Sequence, residues 1–335
     1  MFVDVINDGE AWQRLLGKFP SYDFVHTYDF HRLSQLNGEG DPVMYVLKDD
    51  TSKPLLSWQV LKRPIEGTPY VDLSSVYGYG GPLLYDSCDL QNRFNMIWQR
   101  MKEDGAVALF SRMHPYFIDS IELEILKGQR LGDVVIVDVG EKEGVLSRYR
   151  GSHRREIVNA LSNGLEIAVD WNFESLEEFY SIYRQSMLDL HANDYYMFSL
   201  GYFRRLVAST DFKVILIFAS FNGQKIASSM FIVTGEIMQY YLSGTVAAHR
   251  KIAASKAIIA RAHELASELG LKALILGGGV GSQKDALYKF KCGFSKTTKP
   301  FYVTKKILNE PIYDRLCAAR SVDPEKICFF PAYRG

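Results

Sequence analysis

"FKVILIFASFNGQKIASSMFIVTGEIMQYYLSGT" (212–245) contains three runs of apolar and β-branched residues, separated by Asn222-Gly223 and by Thr234-Gly235-Glu236. Asn-Gly between apolar runs is a strong hairpin signal, because both turn positions tolerate positive φ. The stretch is therefore predicted to be a three-strand antiparallel meander. "ASKAIIARAHELASELG" (254–270) follows with apolar residues at helical spacing and closes on Gly270, and "LKALILGG" (271–278) is a short apolar run of the kind that fills a buried strand. A meander running through a helix into a further strand is an α/β arrangement with a crossover.

Before the meander lie a helix over 144–164 ending on Asn163-Gly164, a strand "LEIAVDW" (165–171), and helices over 175–191 and 199–210. After it come the strand "FYVTKKIL" (301–308) and a short helix near "IYDRLCAAR" (312–320). The first half repeats the order more loosely. "DGEAWQRLLGKF" (8–19) reads as a helix with Asp8 as N-cap, "VMYVLKD" (43–49) and "LLSWQVLKR" (55–63) as strands joined by a polar turn, and "LQNRFNMIWQRMKEDG" (90–105) as a helix closing on Gly105. "AVALFSR" (106–112) and "DVVIVDV" (133–139) read as buried strands. These signals divide the chain into two topologically similar halves, 1–145 and 146–335, with the segment from about 316 to 335 expected to return to the first half.

Composition narrows the class. Apolar residues are 47% of 335, enough for two large cores, so wholesale disorder is excluded. Thirty-nine basic residues balance 39 acidic ones, so a polyanion would have to be held by a local patch. Cys88, Cys292, Cys317 and Cys328 are scattered without metal spacing, which fits reduced thiols. The acidic start lacks a basic segment followed by an apolar core, and the longest apolar run, "VILIFASF" (214–221), is too short to span a bilayer. A cytoplasmic protein without a transmembrane segment is expected.

"LGGGVGSQKDALYKFKCGF" (276–294) invites a phosphate-loop reading, which its spacing rejects. Lys284 follows Gln283 and precedes no hydroxyl residue, and a dinucleotide fingerprint meets Ser282 where glycine belongs. The plain reading of the glycines, Gly278 and Gly279 among them, is that they let the chain turn where a side chain would collide. A helix beginning near Lys284 would set Lys284, Tyr288 and Lys291 on one stripe, with Leu287, Phe290 and Phe294 on the apolar stripe beside it. Lys289 points away. Lys291 then sits at the edge of the buried face, either sheltered as an anchor for a phosphate or an oxyanion, or snorkelling with its charge in water.

Four segments together carry a resemblance. "YGYGGP" (77–82), "SHRREIVNALSNGLEIAV" (152–169), "MQYYLSGT" (238–245) and "LGGGVGSQKDALYKFKCGF" occur in the order and at the distances found in the Fem family, the peptidoglycan interpeptide-bridge aminoacyltransferases and their relatives. The chain resembles that family over most of its length. The resemblance implies an α/β (α+β) fold of two tandem GNAT-like domains, each a mixed, mostly antiparallel sheet flanked by helices. It also implies N-acyl transfer, in which an amine attacks an activated ester without a covalent enzyme intermediate, so that catalysis is positioning and carbonyl-oxygen stabilisation.

On that resemblance Lys291 is the lysine implicated in activity, and Tyr240 and Tyr241 are the strand tyrosines, one of which faces the cleft. Arg154 and Arg155 match the basic helix start, where a guanidinium meets phosphate or carboxylate or simply solvates the helix end. Tyr79 of the first motif, Lys284, Tyr288, Gly278 and Gly279 complete the expected substrate-binding set. The favoured donor is aminoacyl-tRNA, with acyl-CoA second. No cofactor is expected beyond that co-substrate. The expected partners are an amine acceptor, possibly a cell-envelope precursor, and the acceptor end of a tRNA, with no DNA.

Two departures bear on the donor. "HRKIAASKAII" (249–259) has alanines where a CoA-binding loop would carry glycines, and Tyr288 lies five residues before Gly293 where four is usual. The chain also lacks the coiled-coil arm of some Fem members. A CoA-dependent acetyltransferase acting on an amino sugar or small metabolite is the second reading. A non-catalytic binding protein on the same fold is the third. The seven histidines form no metal pair, so no metal is expected, and no nucleophile elbow suggests a hydrolase. The lysines from 284 to 306, with Arg148, Arg150, Arg154 and Arg155, form either a patch for RNA or diphosphate or a solvated face.

Overall fold

The computed structural model describes residues 1–140 and 144–335. The chain divides into two compact units, one of residues 1–131 with 300–335 and one of residues 132–299.

The first unit begins with β1 (Phe2–Ile6), α1 (Gly9–Leu16), α2 (Tyr28–Leu36), β2 (Asp41–Lys48) and β3 (Pro54–Pro64). It continues through β4 (Val71–Ser74), β5 (Pro82–Leu84), α3 (Leu90–Glu103), β6 (Ala106–Arg112) and α4 (Ser120–Ile125). Asp8 caps α1 as expected, its carboxylate accepting from Ala11 N–H at 2.8 Å. β1, β2, β3 and β4 lie side by side antiparallel, β6 runs parallel to β4, and β5 pairs with β3. One face buries Tyr45, Trp58, Phe94, Ile97 and Leu109, and the other buries Trp12, Leu16, Met44 and Val46.

The second unit holds β7 (Gln129–Asp138), α5 (Gly151–Ser162), β8 (Leu165–Asp170), α6 (Leu176–Asp189), α7 (Leu200–Val207), β9 (Lys213–Phe221), β10 (Gln224–Thr234) and β11 (Ile237–Thr245). After these come α8 (Ala254–Glu268), β12 (Ala273–Gly277) and α9 (Ala286–Lys291). The meander forms as read. Asn222 and Gly223 turn at φ of 51° and 74°, and β9, β10 and β11 pair antiparallel in sequence. β8 joins β9 antiparallel, β12 runs parallel to β11, and β7 pairs antiparallel with β12. α8 lies against this sheet through Ala254, Ala257, Ile258, Ala262 and Leu265, which meet Ile215, Ile217, Phe231, Met238 and Leu274. Its alanines keep the helix close to the strands. On the opposite face, a Cβ on Gly244 would stand 2.7 Å from the Ile182 carbonyl oxygen of α6, so only glycine fits there.

The chain then returns to the first unit with β13 (Thr298–Ile307) and α10 (Glu310–Ala319). β13 pairs antiparallel with β6, and Ile312 and Tyr313 of α10 pack with Ile65 and Val107. The Tyr333 hydroxyl and Arg334 guanidinium both meet the buried Asp72 carboxylate.

Two expectations need correction. The boundary expected at 145/146 lies at 131/132, with a second crossing at 299/300, because β7 pairs with β12 and β13 pairs with β6. The single helix expected over 144–164 is a short 3-10 turn at Val145–Arg148 followed by extended Tyr149 and Arg150, and α5 starts only at Gly151. That break drops Tyr149 into the core. β1, α2 and α4 carried no periodic signal strong enough to be read.

Candidate active site

In the second unit two adjacent parallel strands stop pairing. β11 and β12 are in register only from Ile237–Ala273 to Gln239–Ile275. Beyond that point β11 runs on to Thr245 and β12 ends at Gly277, still paired with β7. A bulge marks the parting: Met230 faces Leu242 and Phe231 faces Tyr240, which leaves Tyr241 as the extra residue. A bulge strengthens the local twist and turns a strand from its neighbour. Past Gln239 and Ile275 the two strands are no longer paired with each other.

α9 sits at the end of β12 and is set by the glycine segment. Gly277 has a φ of 86°, which favours glycine, and a Cβ on Gly279 would lie 2.1 Å from the Gln283 carbonyl oxygen and 2.3 Å from the Asp285 carboxylate. The glycines make room, as the plain reading held. Asp285 caps the helix. Its Oδ1 accepts from Tyr288 N–H at 2.8 Å and its Oδ2 from Val280 N–H at 3.0 Å, and these bonds hold its carboxyl below the usual range.

Lys291, the last residue of α9, is 8% exposed, and its ammonium donates to the Gly278 carbonyl at 2.7 Å. Burial lowers its pKa to about 8, against a smaller opposing pull from Asp285. The ammonium is sheltered and does not snorkel. Gly278 thus meets Lys291 through its backbone carbonyl.

The other expected residues are more dispersed. Tyr240 faces the α8 side with its ring 5.4 Å from Phe231, and its hydroxyl donates to Ser243 Oγ at 2.6 Å. Burial raises its pKa, so it stays a phenol. Tyr241 turns the other way, its hydroxyl 2.6 Å from that of Tyr202 on α7. Lys284 precedes the helix instead of starting it and is paired with Asp133 at 3.0 Å, its ammonium 5.9 Å from the Tyr288 ring. Tyr288 is partly buried against the core and Leu287 is 39% exposed, so the apolar stripe of α9 is Phe290 and Phe294. Arg154 and Arg155 are exposed on the first turn of α5. Tyr79 belongs to the first unit, where it meets the Phe301 ring edge-on at 5.1 Å and His114 at 6.4 Å.

Of two further residues beside α9, His153 was not singled out from sequence and Arg150 was read only as part of a basic patch. His153 of α5, buried, places Nε2 3.0 Å from the Phe290 carbonyl oxygen, 137 positions away in the chain. Arg150 N–H donates to the Gly293 carbonyl at 2.9 Å. Neither contact leaves a local pattern. The only trace was Gly293, whose absent side chain would have stood 2.2 Å from His153 Nε2.

Among the described residues, no cluster of histidine, cysteine, aspartate and glutamate is placed to hold a metal, and no helix is long and apolar enough to cross a membrane. The four cysteines are free thiols.

Residues 147–289 match the family model of the GNAT acetyltransferase domain. No curated protein matches the chain in sequence. The crystal structure of FemX matches over 93% of this chain and 99% of FemX, with a TM-score of 0.73 at 12% identity. L-PGS from Bacillus licheniformis matches over 94% of this chain and 96% of its own (0.56, 13% identity). A tandem GNAT protein from the clavulanic acid biosynthesis pathway matches over 90% and 98% (0.52, 12% identity). At such identities the likeness is one of fold. The chain has a Fem-like tandem GNAT fold, and the GNAT acetyltransferase match falls within its second unit.

Proposed function

We propose that the protein is an N-acyltransferase of the Fem-like type. It moves an aminoacyl or acyl group from an activated ester to an amine, with aminoacyl-tRNA the favoured donor and a cell-envelope precursor the favoured acceptor. The observation that carries the reading is Lys291: a buried ammonium at the C-terminal end of β12, beside the place where β11 and β12 part.

In the step envisaged, the acceptor's amine lone pair attacks the ester carbonyl carbon, and the carbonyl electrons move onto oxygen. The N–C bond forms, the C–O bond to the donor breaks, and the proton lost by the amine leaves with the donor oxygen. The Lys291 ammonium stabilises the negative oxygen of the tetrahedral species, where a buried charge acts more strongly than in water. At neutral pH a group with a pKa near 8 is still mostly charged, as this role needs. Gly278 holds that ammonium in place. Tyr240 and Tyr241 are assigned to lining the cleft, one on each face of β11. Tyr79, Arg154, Arg155, Lys284 and Tyr288 are kept as substrate-contact candidates, with the exposed arginines suited to a phosphate. The bench test is transfer of a labelled amino acid from charged tRNA to an amine-bearing envelope precursor. Absence of transfer from every charged tRNA supplied would remove the aminoacyl donor.

One observation favours acyl-CoA as the alternative donor. α8 begins at Ala254, and its N-cap residue Ala253 has no side-chain cap hydrogen bond that a pyrophosphate would have to displace. Calorimetry with acetyl-CoA separates the two. Binding at or below roughly millimolar ligand supports CoA, and no heat there counts against it.

A further inference from the structure

We propose that His153 is a positioning residue for Lys291, fixing the last turn of α9 by a hydrogen bond to the peptide that precedes the lysine. The proposal rests on Lys291 as the working group of the site and adds a residue to which the resemblance assigned no role.

α9 has only six residues, too few for a helix to persist unaided. Its first turn is tied by Asp285. Its last turn is tied by α5, at two points. His153 Nε2–H donates to the Phe290 carbonyl at 3.0 Å, and Arg150 N–H donates to the Gly293 carbonyl at 2.9 Å. The Phe290 carbonyl belongs to the peptide that carries Lys291 N–H, so the hydrogen bond acts one peptide plane from the Lys291 Cα.

The tautomer follows from the partners. Nδ1 lies 3.3 Å from the Arg150 guanidinium, which only donates, so Nδ1 accepts and the ring proton sits on Nε2. Burial, with smaller contributions from Lys256 and Arg150 against the backbone bond and Glu156, keeps the imidazole neutral. A neutral ring with one fixed N–H is a directional tie. The ring also fills the space above Gly293 and meets Phe294 edge-on at 4.8 Å and Phe290 at 5.7 Å. No side chain at 293 is compatible with it. Histidine and glycine are therefore one device, and its product is the shelter around Lys291.

The test reads the lysine itself, without substrate. Protein labelled with ¹³C at lysine Cε is titrated by NMR, and the Lys291 signal is assigned by its loss in Lys291→Arg. In the unsubstituted protein that signal should titrate near 8. His153→Leu keeps bulk and removes the donor, and should move the midpoint about one unit or more toward 10.5 as the turn loosens and water reaches the ammonium. His153→Gln places an amide N–H near the position of Nε2 and should restore most of the original midpoint. Gly293→Ala forces the ring aside and should act like His153→Leu. Circular dichroism confirms the fold of each variant, and if His153→Leu does not fold, Gly293→Ala decides. A midpoint unchanged in the folded variants overturns the proposal, as does a His153→Gln protein that behaves like His153→Leu. Loss of the catalytic reading is a separate result. It would appear as Lys291→Ala retaining full transfer, whatever the titration shows.

Discussion

Each unit has a six-residue helix between an aspartate and a glycine, and the two use that frame differently. α4 is capped by Asp119, whose Oδ1 accepts from Ile121 N–H at 2.9 Å, and the chain turns at Gly128. α9 is capped by Asp285 and turns at Gly293. Toward the core α4 presents Leu126 and Glu122, and the Glu122 carboxylate reaches back to the Asp119 N–H at 3.0 Å to close a capping box. At the matching end of α9 stands Lys291, which donates to the Gly278 carbonyl. The α4 carboxylate is consumed in holding its own helix. The α9 ammonium satisfies no cap, and burying it lowers stability. A charge buried at such a cost, beside strands that have separated, is the feature on which the proposed role of Lys291 rests.

The sharpest way to break this contrast is to remove the cation. Lys291→Ala is expected to lower the rate of acyl transfer by about 10²–10³, the scale of losing one charge-stabilising donor, with the fold retained. Leu126→Ala at the C-cap of α4 should do the reverse, costing about 2–5 kcal/mol of stability while leaving the rate of the folded protein unchanged. Denaturant melts and initial rates on the same two proteins decide it. If Lys291→Ala keeps its rate, the reading of a binding protein on this fold takes over.

The two helices should also respond to pH with opposite sign. Burial, with the Asp119 hydrogen bond, raises Glu122 from 4.5 to about 7. Between those values the folded state holds the extra proton, so stability falls as pH rises. Lys291 is lowered from 10.5 to about 8. Between those values the unfolded state holds the extra proton, so stability rises with pH, by up to about 3 kcal/mol. Melts across pH 4–10.5, taken as differences against Glu122→Gln and Lys291→Met, isolate each slope. A Lys291→Met difference flat from 8 to 10.5 would show that the ammonium is not sheltered. In the same range the transfer rate should fall above about 8, tenfold per unit, because the role assigned to Lys291 needs its charge. Lys291→Arg, if active at all, should carry that limit upward. A rate that climbs through pH 8 would instead make Lys291 a base.

What the chain disclosed in advance follows the range of the interactions involved. Asn222-Gly223, Gly270 and Asp8 act on their neighbours, and the turn, helix end and cap they signal are all present. The angle of Lys291 on α9 was legible for the same reason. The partition of the chain was not, because it depends on β13 returning to β6 and on β7 joining β12, and pairings between distant strands leave no periodic trace. Lys284 was misplaced by two residues because Asp285, a stronger N-cap than anything before it, starts the helix after it. His153 was hidden altogether, since its partner lies 137 residues on and its only imprint is a glycine.

The smallest expected effect concerns the caps themselves. Asp119→Ala removes a side-chain acceptor from α4 and should cost about 1 kcal/mol, with no change in the rate of the folded protein. Asp285→Ala removes two acceptors at once, from Tyr288 and Val280, and frees the turn that presents the Gly278 carbonyl to Lys291. Its melt should shift modestly, and its rate should drop severalfold because the ammonium loses its anchor. KM is expected to move less than kcat, since the carbonyl oxygen carries its full negative charge only in the tetrahedral species. Asp285→Asn, which keeps an oxygen for Tyr288 N–H, should recover most of both. Equal rate losses in Asp119→Ala and Asp285→Ala would mean that the two helices are alike after all, and that the difference between them is one of stability only.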